Sequence, residues 1–362
     1  MSKLVVLGLS GGVDSSVSAA ILKEQGYNVI GVFMKNWDEK NDLGVCTAQK
    51  DYSDALEVAA KLDIPIQSVN FEKEYWDNVF TYFLDEYKRG NTPNPDILCN
   101  QEIKFKCFLE YAMELNADYI AMGHYAQVKR ENNRAYLLKG YDNNKDQSYF
   151  LSRISEKALQ KTLFPIGDLE KSDVRKIAQK YDLITANKKD STGICFIGER
   201  NFNKFLDDFL LSTKGNIIDI DTNEIVGEHT GLIHYTIGQR KGMGIGGTIG
   251  GNNLAYFVCK KDLKNNILYV AKGSDNPNLY SSSLIAKDMH FINGIPEQKE
   301  FKCKAKFRYR QTDQDVLVKL LDNNEIEVIF DKKQKSITPA QVVVLYDDNI
   351  CLGGGFINKV FK

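Results

Sequence analysis

From the N-terminus to about residue 200, short apolar runs alternate with stretches of helical periodicity. Leu4-Val5-Val6-Leu7 is an unbroken apolar run, the mark of a strand buried on both faces. A glycine turn follows, then a helix-like stretch from Ser16 to Gln25. Val29 to Met34 reads as a second strand. Thr47 to Leu62 reads as a helix with Ala55, Val58, Ala59 and Leu62 on one face, and Ile66 to Phe71 as a third strand. An aromatic helix across Tyr75 to Tyr87, a loop from Asn91 to Asn100, a helix near Gln101 to Leu115 and the strand Tyr119 to Met122 continue the series. Such alternation predicts an α/β domain with a mostly parallel sheet.

After Leu211 the texture changes. Asn216 to Gly251 is short-stranded and rich in glycine, and Leu254 to Val270 reads as a hairpin. From about Leu284 onward β-patterned runs follow one another (Phe301 to Gln311, Val316 to Leu321, Ile326 to Phe330, Gln341 to Tyr346). The expected architecture is a catalytic α/β domain over residues 1–205, a small β-rich central domain over 211–275 and a C-terminal β-barrel over 280–362. With 362 residues the chain exceeds the size at which one core usually stops growing.

The first strand, the turn Ser10-Gly11-Gly12-Val13-Asp14-Ser15 and the helix after it bring backbone N–H groups and a helix dipole to one point, which suits a polyphosphate. The bland alternative is a glycine turn with Ser15 or Asp14 as the helix cap. The spacing fits neither the P-loop nor the dinucleotide fingerprint. Ser-Gly-Gly-x-Asp-Ser resembles instead the PP-loop of the ATP pyrophosphatases, which cleave ATP between the α- and β-phosphates and make adenylated intermediates.

Composition narrows the rest. A net charge of −1 excludes a globally basic protein, so nucleic-acid contact must come from local patches. One patch is suggested by Lys302, Lys304, Lys306, Arg308 and Arg310, which fall on alternate positions and would line one face of a strand. Seven cysteines without Cys-x-x-Cys spacing argue against a disulfide framework and a zinc ribbon, and four scattered histidines add no metal cluster. No apolar run approaches the ~20 residues of a membrane span, and no secretory signal is legible; a cytoplasmic location is expected.

Two cysteines stand out. Cys99 follows Asn94-Pro95-Asp96, a turn-rich stretch with a carboxylate three residues away, where a helix N-terminus would favour a thiolate. The competing reading is a small buried hydrophobe. Cys195 follows Lys188-Lys189-Asp190-Ser191-Thr192-Gly193, a setting able to stabilise a thiolate or persulfide.

The segments PDILCN (Pro95–Asn100), GHYA (Gly123–Ala126), KDQSYFL (Lys145–Leu151), DSTGICFIGER (Asp190–Arg200), GQRKGMGIGG (Gly238–Gly247), RYRQTD (Arg308–Asp313) and CLGGG (Cys351–Gly355) resemble, in order and over nearly the whole chain, the tRNA-specific 2-thiouridylases. The resemblance implies a Rossmann-like PP-loop domain and sulfur transfer to the wobble uridine of tRNA. ATP would sit on Gly8, Leu9, Ser10, Gly11, Gly12, Val13, Asp14 and Ser15, with Met34 and Gly123 at the adenosine end and magnesium on the phosphates. Uracil O2 would attack the α-phosphate. A persulfide on Cys195, loaded by a cysteine desulfurase or relay protein, would supply the sulfur. Cys99 would release it, leaving a Cys99–Cys195 disulfide, or assist more directly, and Asp96 would act as acid or base. The tRNA contacts implied are Asn94, Pro95, Asp96, His124, Lys145, Asp146, Gln147, Arg308, Tyr309 and Gln341. One departure is Ala340 before Gln341, where the family pattern has glycine. Magnesium ligands stay unassigned. Two other readings compete: a small-molecule PP-loop ligase, which needs neither cysteine, and a non-catalytic nucleotide-binding module.

Overall fold

The structure, a computed structural model, describes residues 2–37, 47–190, 201–245 and 254–362. In chain order, β1 (Leu4–Gly8), α1 (Val13–Glu24), β2 (Asn28–Lys35), α2 (Thr47–Leu62) and β3 (Ile66–Asn70) alternate as the periodicity predicts. Two long helices follow, each widened to π-type winding in part. The first is α3 (Glu72–Tyr75), a π stretch Trp76–Phe80 and α4 (Thr81–Lys88); the second is α5 (Pro95–Leu98), a π stretch Cys99–Cys107 and α6 (Phe108–Glu114). The strand β4 (Tyr119–Ala121), the hairpin β5 (Ala126–Glu131) and β6 (Arg134–Lys139), α7 (Glu156–Gln160), β7 (Thr162–Leu163) and α8 (Lys171–Lys180) complete this unit.

Its sheet is parallel, in the order β3-β2-β1-β4-β7. Alternate side chains of β1 feed two cores. Val5 and Leu7 pack with Val17, Val58, Leu62 and Val174 of α1, α2 and α8, and Val6 packs with Phe80, Phe83, Ile103 and Phe108 on the other face. Each such side chain contributes about 1.5–3 kcal/mol by leaving water. Strand order reverses between β2 and β4 around β1, so a crevice opens at the carboxyl end of β1, and the Gly-rich turn leaves the sheet there.

Beyond α9 (Phe202–Phe209) lies a four-stranded sheet of β8 (Gly215–Asp219), β9 (Ile225–His229), β10 (Tyr256–Asp262) and β11 (Ile267–Lys272), with its own small core around Ile217, Val258 and Val270. Then β12 (Tyr280–Phe291), β13 (Glu300–Lys306), β14 (Gln314–Leu320), β15 (Ile326–Lys335), β16 (Val342–Asp347) and β17 (Ile350–Phe361) form a closed six-stranded antiparallel barrel, because β12 pairs with both β15 and β17. The expected fold class, a PP-loop α/β domain with a β-rich centre and a C-terminal barrel, is the one observed.

Three features differ from the sequence reading. The hairpin β5–β6 of the first unit joins the barrel sheet, with Ile350 opposite Leu138 and Cys351 opposite Leu137. Its turn residues Asn132 and Asn133 both have positive φ (50° and 59°), the conformation a tight hairpin turn needs. Secondly, the helix carrying Cys99 begins at Pro95, not near Gln101: Asn94 Oδ1 accepts from Asp96 N (3.2 Å), and Pro95 takes the first helical position. Cys99 therefore lies a full turn inside a helix. Thirdly, the strand expected over Phe301–Gln311 stops at Lys306, and Arg310 turns into the left-handed region (φ 63°). The five-cation stripe is cut short: Lys302, Lys304 and Lys306 keep alternate positions on β13, whereas Arg308 and Arg310 lie beyond its end. Lys306 is largely buried against Asp146 (3.2 Å), and Lys304 approaches Asp315 (3.5 Å).

Candidate active site

Ser10 to Ser15 wraps the start of α1. Gly12 is the N-cap and no side chain caps the helix, so neither Ser15 nor Asp14 is the cap. The Ser15 hydroxyl instead donates back to Gly12 O (3.0 Å) and accepts from Ser10 N (3.2 Å), holding the loop shut on itself. The first amides of α1 are left for an anion. The two glycines differ. Gly11 has φ 72°, and a Cβ there would sit 2.0 Å from Asp51 O; at Gly12 the nearest atom to such a Cβ is 3.6 Å away. Gly11 shapes the fold, whereas Gly12 keeps open the space over the loop.

The expected adenosine residues converge here. A Cβ on Gly8 would meet Met122 Sδ at 2.8 Å and Met34 Cε at 3.1 Å, so both methionines line the end of β1. A Cβ on Gly123 would meet Ser15 N at 2.8 Å, so the end of β4 rests directly on the loop. Val13 and Leu9 are buried beneath it.

Charge gathers on the other flank. Asp14 Oδ1 accepts from Tyr125 Oη (2.7 Å) and Lys171 Nζ (2.7 Å). Lys171 also reaches Asp190 Oδ1 (2.8 Å), and Asp190 takes Lys145 (2.7 Å) and Arg175 (3.0 Å) besides. Burial pushes the Asp190 carboxyl up, but hydrogen bonds from Lys145 and Lys171 outweigh it and hold the pKa at about 2. Lys188 donates to Gly11 O (2.8 Å), Asp51 (2.7 Å) and Asp54. Its ammonium is thus committed to the loop rather than to a thiolate. Cys195 and the segment 191–200 lie outside the described residues.

Next to Gly123, His124 begins the second part of the site. It is buried between Phe105 and Phe164 (ring centroids 5.9 Å from each), and its Nδ1 makes no hydrogen bond among the described residues. Burial, with the positive charge of Lys104, holds its pKa well below the usual imidazole range, so the ring is neutral. Burial raises the Asp96 pKa, and Lys104 only partly opposes it. Asn100 is buried too: its amide donates to Phe150 O (3.2 Å), while Oδ1 has no partner among the described residues. Cys99 is buried on the same helix.

The remaining expected tRNA residues surround this region with different roles. Asp146 is buried, and its carboxylate accepts from Gly140 N and Ser148 N (3.0 Å each) and from Lys306, so it fixes the 140–148 turn from within. Gln147 Oε1 accepts from Tyr125 N (3.0 Å). Gln341 Nε2 donates to Thr92 O (2.6 Å), tying the barrel to the loop before Asn94 and Pro95. Arg308 is exposed, and Tyr309 lies against Phe150 (4.4 Å between centroids). Among the described residues no group of three acidic, cysteine or histidine side chains is placed to hold a metal ion. Sequence reasoning missed Lys171, Arg175, Tyr125 and Asn100. Lys171 and Arg175 are recognisable only by what they meet across the chain, whereas Tyr125 stands beside His124 and Asn100 beside Cys99.

Family models described as "tRNA methyl transferase HUP domain", "tRNA methyl transferase PRC-barrel domain" and "Aminomethyltransferase beta-barrel domain" match residues 3–199, 203–272 and 281–357. The tRNA-specific 2-thiouridylase MnmA of Ligilactobacillus salivarius is 60% identical over 361 residues, 99% of this chain and 96% of the relative. The tRNA-specific 2-thiouridylase MnmA 1 of Geobacillus kaustophilus is 59% identical, with the same shares covered. Among solved structures, the U34-tRNA thiolase NcsA of Methanococcus maripaludis aligns with TM-score 0.36 at 18% identity, over 57% of this chain and 65% of that one. A 4-thiouridine synthetase–RNA complex with bound ATP aligns with TM-score 0.34 at 15% identity, over 57% and 49%. The sequence relatives, not these distant structural likenesses, carry the conclusion.

Proposed function

The chain belongs to the tRNA-specific 2-thiouridylase family, and on that footing we propose that it replaces O2 of the tRNA wobble uridine with sulfur in two steps, adenylation and then sulfur transfer. The observation that carries the first step is the uncapped α1 N-terminus at the sheet's switch point, with Gly123 and Met34 beside it. ATP lies with its phosphates on Ser10–Ser15 and its base toward Met34. Uracil O2 attacks the α-phosphorus, the bond to the bridging oxygen breaks, and pyrophosphate leaves with that electron pair. C2 is then electrophilic, because its oxygen departs as AMP. Magnesium arrives on the ATP phosphates, which supply most of its ligands.

The base end supports the second step. A uracil reaching Asp96 must be out of its stack, which an anticodon loop permits at low cost. Asp96, with its raised pKa, takes the N3 proton better than an ordinary carboxylate. Asn100 Oδ1 and His124 Nδ1, buried and without partners among the described residues, support this reading, since a polar ring would satisfy them. The terminal sulfur of a Cys195 persulfide, delivered by a donor protein, attacks C2 and AMP leaves; Cys99 attacks the inner sulfur, giving a disulfide that an external thiol must reduce. ATP and tRNA as substrates put this work in the cytoplasm, and no described helix is long and apolar enough to cross a membrane.

The test is reconstitution with ATP, magnesium, a persulfide donor and unmodified tRNA, followed by nucleoside analysis. The expected products are 2-thiouridine, AMP and pyrophosphate. Thiolation without ATP cleavage, or ATP bound without turnover, overturns the reading.

A further inference from the structure

Lys171 occupies the first position of α8, where a helix dipole disfavours a cation by about 0.3–1 kcal/mol. Its side chain is only 13% exposed. A lysine placed against the dipole and out of water is a poor choice for stability alone. What holds it is a pair of carboxylates, Asp14 on the Gly-rich loop and Asp190 opposite. Asp190 in turn gathers Lys145 and Arg175, so three cations face two carboxylates at the mouth of the loop. The geometry of oxygen atoms around Lys171, two acceptors from separate segments at 2.7 and 2.8 Å, is what two phosphate oxygens would present.

We propose that Lys171 is a catalytic residue that binds the leaving pyrophosphate of ATP, and that Asp190 is a positioning residue, an internal carboxylate that holds Lys171 until the polyphosphate takes its place. The inference rests on the nucleotide reading of the Gly-rich loop. As the bond from the α-phosphorus to the bridging oxygen breaks, negative charge accumulates on pyrophosphate, and the Lys171 ammonium offsets it without a proton changing hands. Arg175 plays a different part. Its guanidinium also donates to Ala186 O (2.9 Å) and Lys188 O (3.1 Å), which fixes the segment that presents Asp190.

The two residues give opposite signs in one experiment. Inorganic pyrophosphate and, separately, AMP are titrated calorimetrically into the full-length protein with magnesium at fixed ionic strength. Lys171→Ala is expected to weaken pyrophosphate binding about tenfold or more with AMP binding unchanged, as for a lost charge-assisted hydrogen bond. Lys171→Arg keeps most of the affinity. Asp190→Asn, which releases the cations from their internal competitor, tightens pyrophosphate binding several-fold; a purely structural ion pair predicts no gain. If Lys171→Ala proves unfolded by thermal melting and AMP binding, the Asp190→Asn arm decides alone. Wild-type protein that binds AMP but not pyrophosphate, Lys171→Ala that binds pyrophosphate as tightly as wild type, or Asp190→Asn that binds it no more tightly than wild type, overturns the Lys171 assignment and leaves the nucleotide reading standing. Wild-type protein that binds neither pyrophosphate nor AMP overturns both.

Discussion

The two ends of the site are prepared by opposite means. Around the Gly-rich loop, hydrogen bonds and charges answer one another: Ser15 closes on Gly12 and Ser10, and Asp14, Asp190, Lys145, Lys171 and Lys188 are ion-paired. Around Asp96 and His124, burial dominates. A carboxyl is raised, an imidazole is kept neutral, and two polar atoms stay without partners among the described residues. On the proposed reading, a polyphosphate brings charge and would exchange into compensated charge already gathered at the loop. A uracil, on the same reading, brings a polar edge with little charge, and desolvated groups whose unmet hydrogen bonds cost stability are what it would satisfy.

Several substitutions test that contrast. The largest effects are expected at Asp96 and Cys99. Asp96→Asn should slow thiolation by about 10²–10⁴, the usual share of a general base, while ATP binding by calorimetry is kept; equal rates would reduce Asp96 to a packing role. Cys99→Ser should likewise end thiolation with a persulfide donor yet leave ATP cleavage measurable, since phosphate chemistry on the loop uses no thiol. Next come the paired glycines. Gly11→Ala should destabilise by something on the order of 2–5 kcal/mol, the sum of left-handed strain and overpacking against Asp51 O. Gly12→Val should melt near the wild-type temperature yet lose ATP binding, because its side chain enters open space over the loop. If both variants fold equally well, the distinction between scaffold and site fails.

A smaller effect belongs to acid. Burial lowers the pKa of His124, His229 and His290 below the ordinary value of about 6.5. Below that value the unfolded chain takes up protons that the folded one refuses, so stability present above it is lost as pH falls. Denaturant midpoints should drop between pH 7.5 and 5.5, and His124→Gln should flatten that slope; an unchanged slope would mean that His124 protonates in place. The smallest effect lies at Ala340, which is buried with φ 66°. A glycine, which the family resemblance leads one to expect here, would adopt this backbone without strain. Ala340→Gly should stabilise by up to about 1 kcal/mol, left-handed strain relieved less the glycine's extra unfolded entropy.

Legibility followed the range of the interactions. The strand–loop–helix opening and the helix Thr47–Leu62 were readable because their periodicities are local. The start at Pro95 was misread because asparagine and proline signal a turn and also an N-cap with its first helical residue. The stripe from Lys302 to Arg310 was misread because alternation in sequence outlasts the strand that ends at Lys306. The hairpin at Asn132–Asn133 had a signal, two residues that tolerate positive φ between alternating segments. Nothing local marks Lys171 as a partner of Asp14, since 157 positions separate them.

The hairpin's place in the barrel sheet has a consequence for how the protein is made. Leu137 and Leu138 find Cys351 and Ile350 only after more than half the chain has followed them off the ribosome. At synthesis rates of about 5–20 residues per second, the outer edge of β6 stays uncovered for about ten seconds or more. An uncovered edge is a template for wrong pairing. A message truncated before β17 would therefore release a first unit that is complete in its loop and helices but adhesive along one strand.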